Sequence, residues 1–380
     1  MDADESSAGA SGDQHGSGQA HIRLENVRKT FGGGEIVAVD DVDLDVDSNE
    51  FVVLLGPSGC GKTTTLRCLA GLEEPDSGHI YIGPDEVTYD KPKDRNLAFV
   101  FQSIALFPHM SVRENMAFGL DMTTDMDSAA KRERVEEVAE MLGIDAMLDR
   151  KPSALSGGLQ QRVSLGRAMV MEPAAFLLDE PFSALDANLR DQMRVEVKQL
   201  QRQLETAMVF VTHDQEEAMT LGDKIVIMDD GRIQQIGTPY EIFNEPVNQF
   251  VATFIGSPST NLLDCRTVET SDGVDVVGEF FEFSLSGDQV ERFEGEDGES
   301  LRLGIRPEYL DIDDEDALFR ADVSVIEPHG SRDAVHLTTG GVELTAVTAQ
   351  EHVARGTETV AVDIQRDEIW LFDGDGERVL

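Results

Sequence analysis

Phe51-Val52-Val53-Leu54-Leu55-Gly56-Pro57-Ser58-Gly59-Cys60-Gly61-Lys62-Thr63-Thr64-Thr65-Leu66-Arg67-Cys68-Leu69-Ala70 decides the fold. Its first five residues are an apolar run ended by glycine and proline, which reads as a parallel strand buried on both faces. Gly56 to Gly61 form a glycine-rich loop, and the residues from Lys62 onward read as a helix. Strand, loop and helix in this order are the setting of a phosphate-binding loop. Backbone N–H groups at a helix N-terminus cradle phosphates, Lys62 reaches the β/γ oxygens, and the Thr63 hydroxyl is placed to ligate Mg²⁺. Gly56, Pro57, Ser58, Gly59, Cys60, Gly61, Lys62, Thr63 and Thr64 are therefore the expected ATP contacts. A second glycine-rich turn, Leu155-Ser156-Gly157-Gly158-Leu159-Gln160-Gln161-Arg162, follows about ninety residues later. On its own it does not decide between a plain turn and a binding loop.

Further strands end in polar residues of a matching kind. Ile22 to Val46 alternates apolar and polar positions around Phe31-Gly32-Gly33-Gly34, which predicts a pair of antiparallel strands. A strand pair follows the Pro75–Gly78 turn. Leu97 to Phe101 reads as a buried strand ending at Gln102, and the stretch from Val112 to Leu148 turns helical. Ala175-Phe176-Leu177-Leu178-Asp179-Glu180 is a strand that ends in two carboxylates. Met208 to His213 and Lys224 to Met228 are two more strands. Interleaved helices make this a parallel α/β sheet with its ligand at the carboxyl edge. Asp179 is then a Mg²⁺ ligand and Glu180 a general base for the attacking water. His213 is placed to hold the γ-phosphate and that water in line. Gln102 contributes an amide near the metal and the water.

Composition narrows the class. At 380 residues the chain has room for two domains or more. Its formal net charge is −43, from 74 acidic against 31 basic residues, and this field repels nucleic acid and anionic lipid. Hydrophobic residues make up 40% and sit in periodic blocks, so the acid is carried by a folded surface, as in proteins of very salty cytoplasms. Cys60, Cys68 and Cys265 show no disulfide or zinc spacing, which fits a reducing compartment. No run is apolar enough to span a bilayer, and no signal segment opens the chain. Residues 1–20 read as a disordered acidic tail.

With these residues assembled, the chain resembles the ATP-binding subunit of ABC transporters over residues 21–240, with a helical subdomain over about 103–172. The resemblance implies a P-loop NTPase cassette of RecA-like fold. Gly56–Thr63 corresponds to Walker A, Phe176–Glu180 to Walker B, Gln102 to the Q-loop and His213 to the switch histidine. Ser183-Ala184-Leu185-Asp186 corresponds to the D-loop, which makes Asp186 a dimer contact. Ser156-Gly157-Gly158-Leu159-Gln160 is similar to the family signature, whose usual form has Gln where this chain has Leu159. In the family, Ser156, Gly157 and Gly158 contact ATP bound by the other subunit, so a head-to-tail dimer is implied. Phe31 stands where the family stacks an aromatic ring on adenine.

The resemblance runs on to importer ATPases of the maltose type. It is carried by Gly237–Phe243, by Phe254-Ile255-Gly256-Ser257-Pro258-Ser259-Thr260-Asn261 and by Gly304-Ile305-Arg306-Pro307-Glu308. It implies an OB-like, all-β regulatory domain over 241–380 and an ATPase coupled to sugar import. Its partners would be a second ATPase subunit, two transmembrane permease subunits and an extracellular sugar-binding protein, with no nucleic acid. Its place would be peripheral, on the cytoplasmic face of the membrane. Ile104, Ala105, Leu106 and Phe107, next to Gln102, are the expected permease-docking residues. Importers of glycerol phosphate, polyamine, iron or sulfate are the alternative. A non-transport ABC ATPase fits less well, because no coiled coil or zinc insertion separates Lys62 from Ser156.

Crowded surface carboxylates repel one another until ions screen them. The melting temperature is expected to rise steadily from low to molar KCl, as followed by differential scanning calorimetry. A flat profile would contradict the salt-adapted reading.

Overall fold

A computed structural model describes residues 21–271, 273–296, 298–312 and 317–380, so the acidic segment 1–20 lies outside the described residues. The chain divides into two compact units. One holds the described residues to Val52 and Thr63–Phe210, the other Val53–Lys62 and Val211–Leu380.

The chain opens with the strands β1 (Ile22–Phe31) and β2 (Ile36–Val46), paired antiparallel from Ile22↔Val46 to Phe31↔Ile36. Then come β3 (Phe51–Leu55), α1 (Lys62–Leu69), β4 (Ser77–Ile82) and β5 (Asp85–Glu86). β2-β1-β4-β5 make one four-stranded sheet. β6 (Leu97–Val100) stops one residue short of the expected Phe101, whose ring is 41% exposed. The helices α2 (Val112–Thr123), α3 (Ser128–Met141) and α4 (Gly157–Met169) follow. Ser111 opens α2 with a reciprocal Ser111–Glu114 capping box, and Asp127 caps α3 through the Ala129 and Ala130 amides. On α3, Val135, Val138 and Ala139 share a buried face, so the three helices pack on one another.

β7 (Ala175–Asp179), α5 (Ala187–Leu204), β8 (Ala207–Thr212), α6 (Gln215–Leu221), β9 (Lys224–Asp229) and β10 (Arg232–Gly237) complete a six-stranded sheet of order β10-β9-β3-β8-β7-β6. β6 and β7 run parallel, Leu97↔Ala175 to Val100↔Leu178. Every residue of β3, β7 and β8 is buried, as the unbroken apolar runs predict. One buried cation locks the first unit internally. The Arg95 guanidinium, 3% exposed, donates to the carbonyls of Cys68, Leu69, Thr88 and Asp90 and so caps the end of α1.

In the second unit, α7 (Pro239–Asn244) and α8 (Gln249–Phe254) lead into an all-β region. Its strands are β11 (Asn261–Thr270), β12 (Gly273–Gly278), β13 (Glu282–Ser284), β14 (Ser300–Ile305), β15 (Leu310–Ile312), β16 (Phe319–His329), β17 (Arg332–Thr339), β18 (Val342–Ala349), β19 (Thr359–Ile364) and β20 (Ile369–Phe372). They form two five-stranded sheets, β13-β12-β11-β14-β20 and β15-β19-β16-β17-β18, with antiparallel pairing throughout. Leu263, Val276, Leu303, Val335, Leu337, Val362 and Leu371 from both sheets fill one core, the expected OB-like β domain.

The motifs of this region are structural staples. Asn261 of β11 reaches β18, donating to the Thr345 carbonyl and accepting from its amide at 2.7 Å. Arg306, 1% exposed, stacks 3.7 Å over Phe243 and 5.2 Å from Trp370, and donates to the carbonyls of Phe243 and Ile255. Gly256 is glycine because a Cβ there would lie 2.7 Å from Arg306 Nη1. Burial pulls the Arg306 guanidinium down to about 10, still charged at neutral pH. Arg306→Met keeps volume but leaves buried carbonyls without donors, at a cost of about 3 kcal/mol. Urea unfolding followed by emission of Trp370, the single tryptophan, is expected to shift to lower midpoint. An unchanged midpoint would refute the staple.

Candidate nucleotide-binding site

The phosphate loop is shaped by steric exclusion. A Cβ on Gly56 would stand 2.2 Å from the Met228 carbonyl and 2.7 Å from Cys60 Sγ, so only glycine fits. Gly59 and Gly61 adopt φ of +87° and +107°. Lys62 is 5% exposed and its Nζ donates to the carbonyls of Gly56 and Pro57, each at 2.7 Å, with Cys60 Sγ at 3.6 Å. The loop thus closes around its own cation and concentrates positive potential where its amides converge. Burial pushes the Cys60 thiol up, only partly opposed by Lys62, so it stays protonated at neutral pH. In the same unit, His213 follows the last residue of β8 and is exposed. Its neighbours are fixed: Thr212 Oγ1 donates to Glu217 at 2.6 Å, and Asp214 caps α6.

The other unit holds the metal and base candidates. Thr63 Oγ1 donates to Asp179 Oδ1 at 2.8 Å, and Asp179 is 5% exposed at the end of β7. A hydroxyl beside a carboxylate is a hard-oxygen pair of the kind Mg²⁺ takes. Glu180 comes next, with φ of +43°, a left-handed conformation that a non-glycine residue holds at a cost. Gln102 Nε2 donates to Glu180 Oε2 at 2.9 Å. The structure thus joins Gln102 to the proposed base, and joins Thr63 to Asp179.

The signature residues cap a helix. Ser156 is the N-cap of α4, accepting from the Leu159 amide, and Ser156 and Gly157 are exposed. Gly158 is buried against α5, where a Cβ would lie 2.6 Å from Leu189. Leu159, the departure from the usual signature, is half-buried. Asp186 caps α5 through the Leu189 amide at 3.1 Å. Phe31 ends β1 with its ring 38% exposed and Lys29 Nζ 5.3 Å from its centroid.

The expected docking residues Ile104–Phe107 lie on the segment that follows Gln102. Ala105 is exposed, while Ile104, Leu106 and Phe107 are half-buried, and the Phe107 ring packs 4.6 Å from Phe118. Two residues that sequence reasoning missed hold this segment. Asn115 of α2, fully buried, accepts from the Phe107 amide and donates to the carbonyls of Phe107, Met110 and Ser111. Arg167 of α4 donates to the Ala105 carbonyl at 2.6 Å. An asparagine on the apolar stripe of α2 was the readable signal for the first. The second had none.

A glycine loop between a buried strand and a helix, with carboxylates at strand ends of a parallel sheet, defines a P-loop nucleoside triphosphatase. The ABC transporter family model matches residues 39–183. The xylose/arabinose import ATP-binding protein XacJ of Haloferax volcanii is 48% identical, covering 93% of this chain and 94% of that protein. The trehalose/maltose import ATP-binding protein MalK of Thermococcus litoralis is 48% identical, covering 93% and 98%. The maltose/maltodextrin import ATP-binding protein MalK of Escherichia coli K12 is 44% identical, covering 94% and 96%. Among solved structures, cbiO1 of Clostridium perfringens, part of an ABC transporter complex, aligns with a TM-score of 0.55 and 26% identity over 60% of this chain and 91% of its own. A dimeric ATP-binding cassette in a post-hydrolysis state with ADP and Pi aligns at 0.52 and 33% identity, over 57% and 98%. The chain belongs to the ABC transporter family and is one of its ATP-binding, ATP-hydrolysing proteins.

Lys62→Ala removes the loop's one buried cation. ATP affinity by calorimetry is expected to fall at least tenfold, since a charge-assisted contact to phosphate is lost. Unchanged affinity would refute the loop assignment.

Proposed function

We propose that this chain is the energy-coupling ATPase subunit of a sugar importer, working at the cytoplasmic face of the membrane. The observation that carries this reading is the extent of the likeness. Relatives named for import of xylose/arabinose, trehalose/maltose and maltose match it over 93–94% of its length, the C-terminal β region included. Among the described residues no helix is long and apolar enough to cross a membrane, so in this reading the chain acts through membrane partners.

In this reading Lys62 and the amides of Gly56–Thr63 bind the β/γ-phosphates, with Thr64 in the first turn and Phe31 against adenine. Thr63, Asp179 and Gln102 hold Mg²⁺, which when bound neutralises phosphate charge during transfer. Glu180 accepts the proton of the attacking water, and its hydrogen bond from Gln102 orients the carboxylate. His213 steadies the γ-phosphate. Ser156, Gly157 and Gly158 serve the ATP of a second ATPase subunit, whose contact also involves Asp186. The exposure of Ser156 and Gly157 at the start of α4 suits that role.

Two transmembrane permease subunits would dock at Ile104, Ala105, Leu106 and Phe107, and an extracellular binding protein would deliver the sugar. Beside this segment lies a cavity of about 760 Å³ lined by Phe99, Phe101, Ala105, Phe107, Phe118 and Met171, an apolar socket suited to a partner's helix. Asn115 and Arg167 tie the socket's rim to α2 and α4.

Leu106 is the better probe of docking, because Phe107 also supports Phe118. Leu106→Asp places a charge in the contact and is expected to abolish sugar uptake in cells while ATPase activity of the isolated chain survives. Glu180→Gln is expected to remove both while ATP still binds. Normal uptake with Leu106→Asp at wild-type expression would defeat the docking model, and near-normal hydrolysis with Glu180→Gln would defeat the base assignment.

A further inference from the structure

His213 sits on a backbone that has little freedom of its own. The Asp214 amide donates to Thr212 Oγ1 at 3.0 Å, and Thr212 Oγ1 donates to Glu217. The Asp214 carboxylate accepts from the amides of Glu216 and Glu217. The residues on both sides of His213 are thus tied to the first turn of α6. The imidazole goes where that turn is held.

Gln215, the first residue of α6, is half-buried, and its amide reaches another part of the second unit. Its Nε2 donates to the Phe254 carbonyl, and its Oε1 accepts from the Gly256 amide at 2.9 Å. Phe254 is the last residue of α8, so its carbonyl has no partner within the helix, and Gly256 lies past the helix end. One of these groups needs a donor and the other an acceptor. A side-chain amide offers both on separate atoms, whereas a carboxylate only accepts and an ammonium only donates.

The same short connector is gripped from the β region. The Ile255 carbonyl accepts from Arg306 Nη1 at 2.7 Å, and Gly256 has φ of +112° with Arg306 Nη1 filling the place of a side chain. Arg306 directly follows β14, which pairs with β11. Phe254-Ile255-Gly256 is therefore held by a guanidinium of the β region and by the amide that opens α6.

We propose that Gln215 is a positioning residue for His213, the link by which the C-terminal β region sets where that histidine stands. A single hydrogen bond lets two segments swivel, but two bonds from one amide make the first turn of α6 follow the connector. The β region then adjusts turnover without touching nucleotide, while the Lys62 loop that holds phosphate is left as it is. This inference rests on the γ-phosphate role given to His213 under the proposed function.

Steady-state ATPase kinetics of the full chain in molar KCl test the link. Gln215→Ala is expected to lower kcat about fivefold or more while KM for ATP stays within about twofold. An amide that only stabilised the fold would lower the melting temperature and leave kcat alone. On top of His213→Ala, the same substitution is expected to reduce the residual hydrolysis no further, because both changes act through one group. The Cε1–H NMR resonance of His213, assigned by its loss in His213→Ala, is expected to shift in Gln215→Ala, a readout that needs no activity. Gln215→Glu keeps the size and the bond from Gly256 but loses the donor to Phe254, and it takes the place of Gln215→Ala if that variant fails to fold. A smaller fall in kcat, a loss carried by KM, a further loss on top of His213→Ala, or an unmoved His213 resonance would overturn the proposal. Near-normal hydrolysis by His213→Ala strikes the role given to the histidine, and this inference falls with it. Hydrolysis lost in His213→Ala but normal in Gln215→Ala strikes this inference alone.

Discussion

Lys62 is buried, so its ammonium must find acceptors, and the phosphate loop supplies them. The carbonyls of Gly56 and Pro57 turn inward to Lys62, which draws the loop so tight that Gly56 has no room for a side chain beside Met228. A glycine loop that ends at a helix N-terminus is an anion receptor. Strand β3 has to be stiff and buried to hold this geometry, and it is. The glycines, the strand and the helix start all follow from keeping one cation desolvated yet hydrogen-bonded.

The same solution recurs twice more. Arg95 and Arg306 are buried cations in a chain with more than twice as many acids as bases, and both are satisfied by main-chain carbonyls. Each carbonyl cluster is a place where regular hydrogen bonding stops: the end of α1 for Arg95, the turns after α7 and α8 for Arg306. Carbonyls at such ends need donors, and a guanidinium offers several in one plane. An excess of acid is thereby carried on the surface while interior cations serve as caps.

Hydrolysis asks for groups that are fixed before substrate arrives, and the strand ends provide that. Asp179 is the last residue of a fully buried strand, so its carboxylate has little freedom. Glu180 is held in a left-handed conformation and receives Gln102, so a loop that also leads to the apolar socket touches the proposed base. Through Ala105, that loop is tied to α4, the helix that Ser156 caps. The backbone from Gln102 to Ala105 thus connects the proposed base to helix α4 within a single unit.

The sequence by itself determined the elements whose chemistry is local. A five-residue apolar run ended by Gly-Pro reads as a strand buried on both faces, and a glycine loop with Lys-Thr between such a strand and a helix reads as a phosphate site. Ser156, Asp186 and Glu180 were named from motifs, and the structure places the first two at helix N-caps and the third directly after a buried strand. Tertiary structure alone decided what depends on distant partners. It packed the Phe107 ring of the expected docking run against Phe118. It turned Arg306, quoted as part of a motif, into a buried staple between Phe243 and Trp370. None of these has a sequence signal, because a hydrogen bond or ring contact between residues tens of positions apart is set by sheet register and packing, and only the folded chain specifies those.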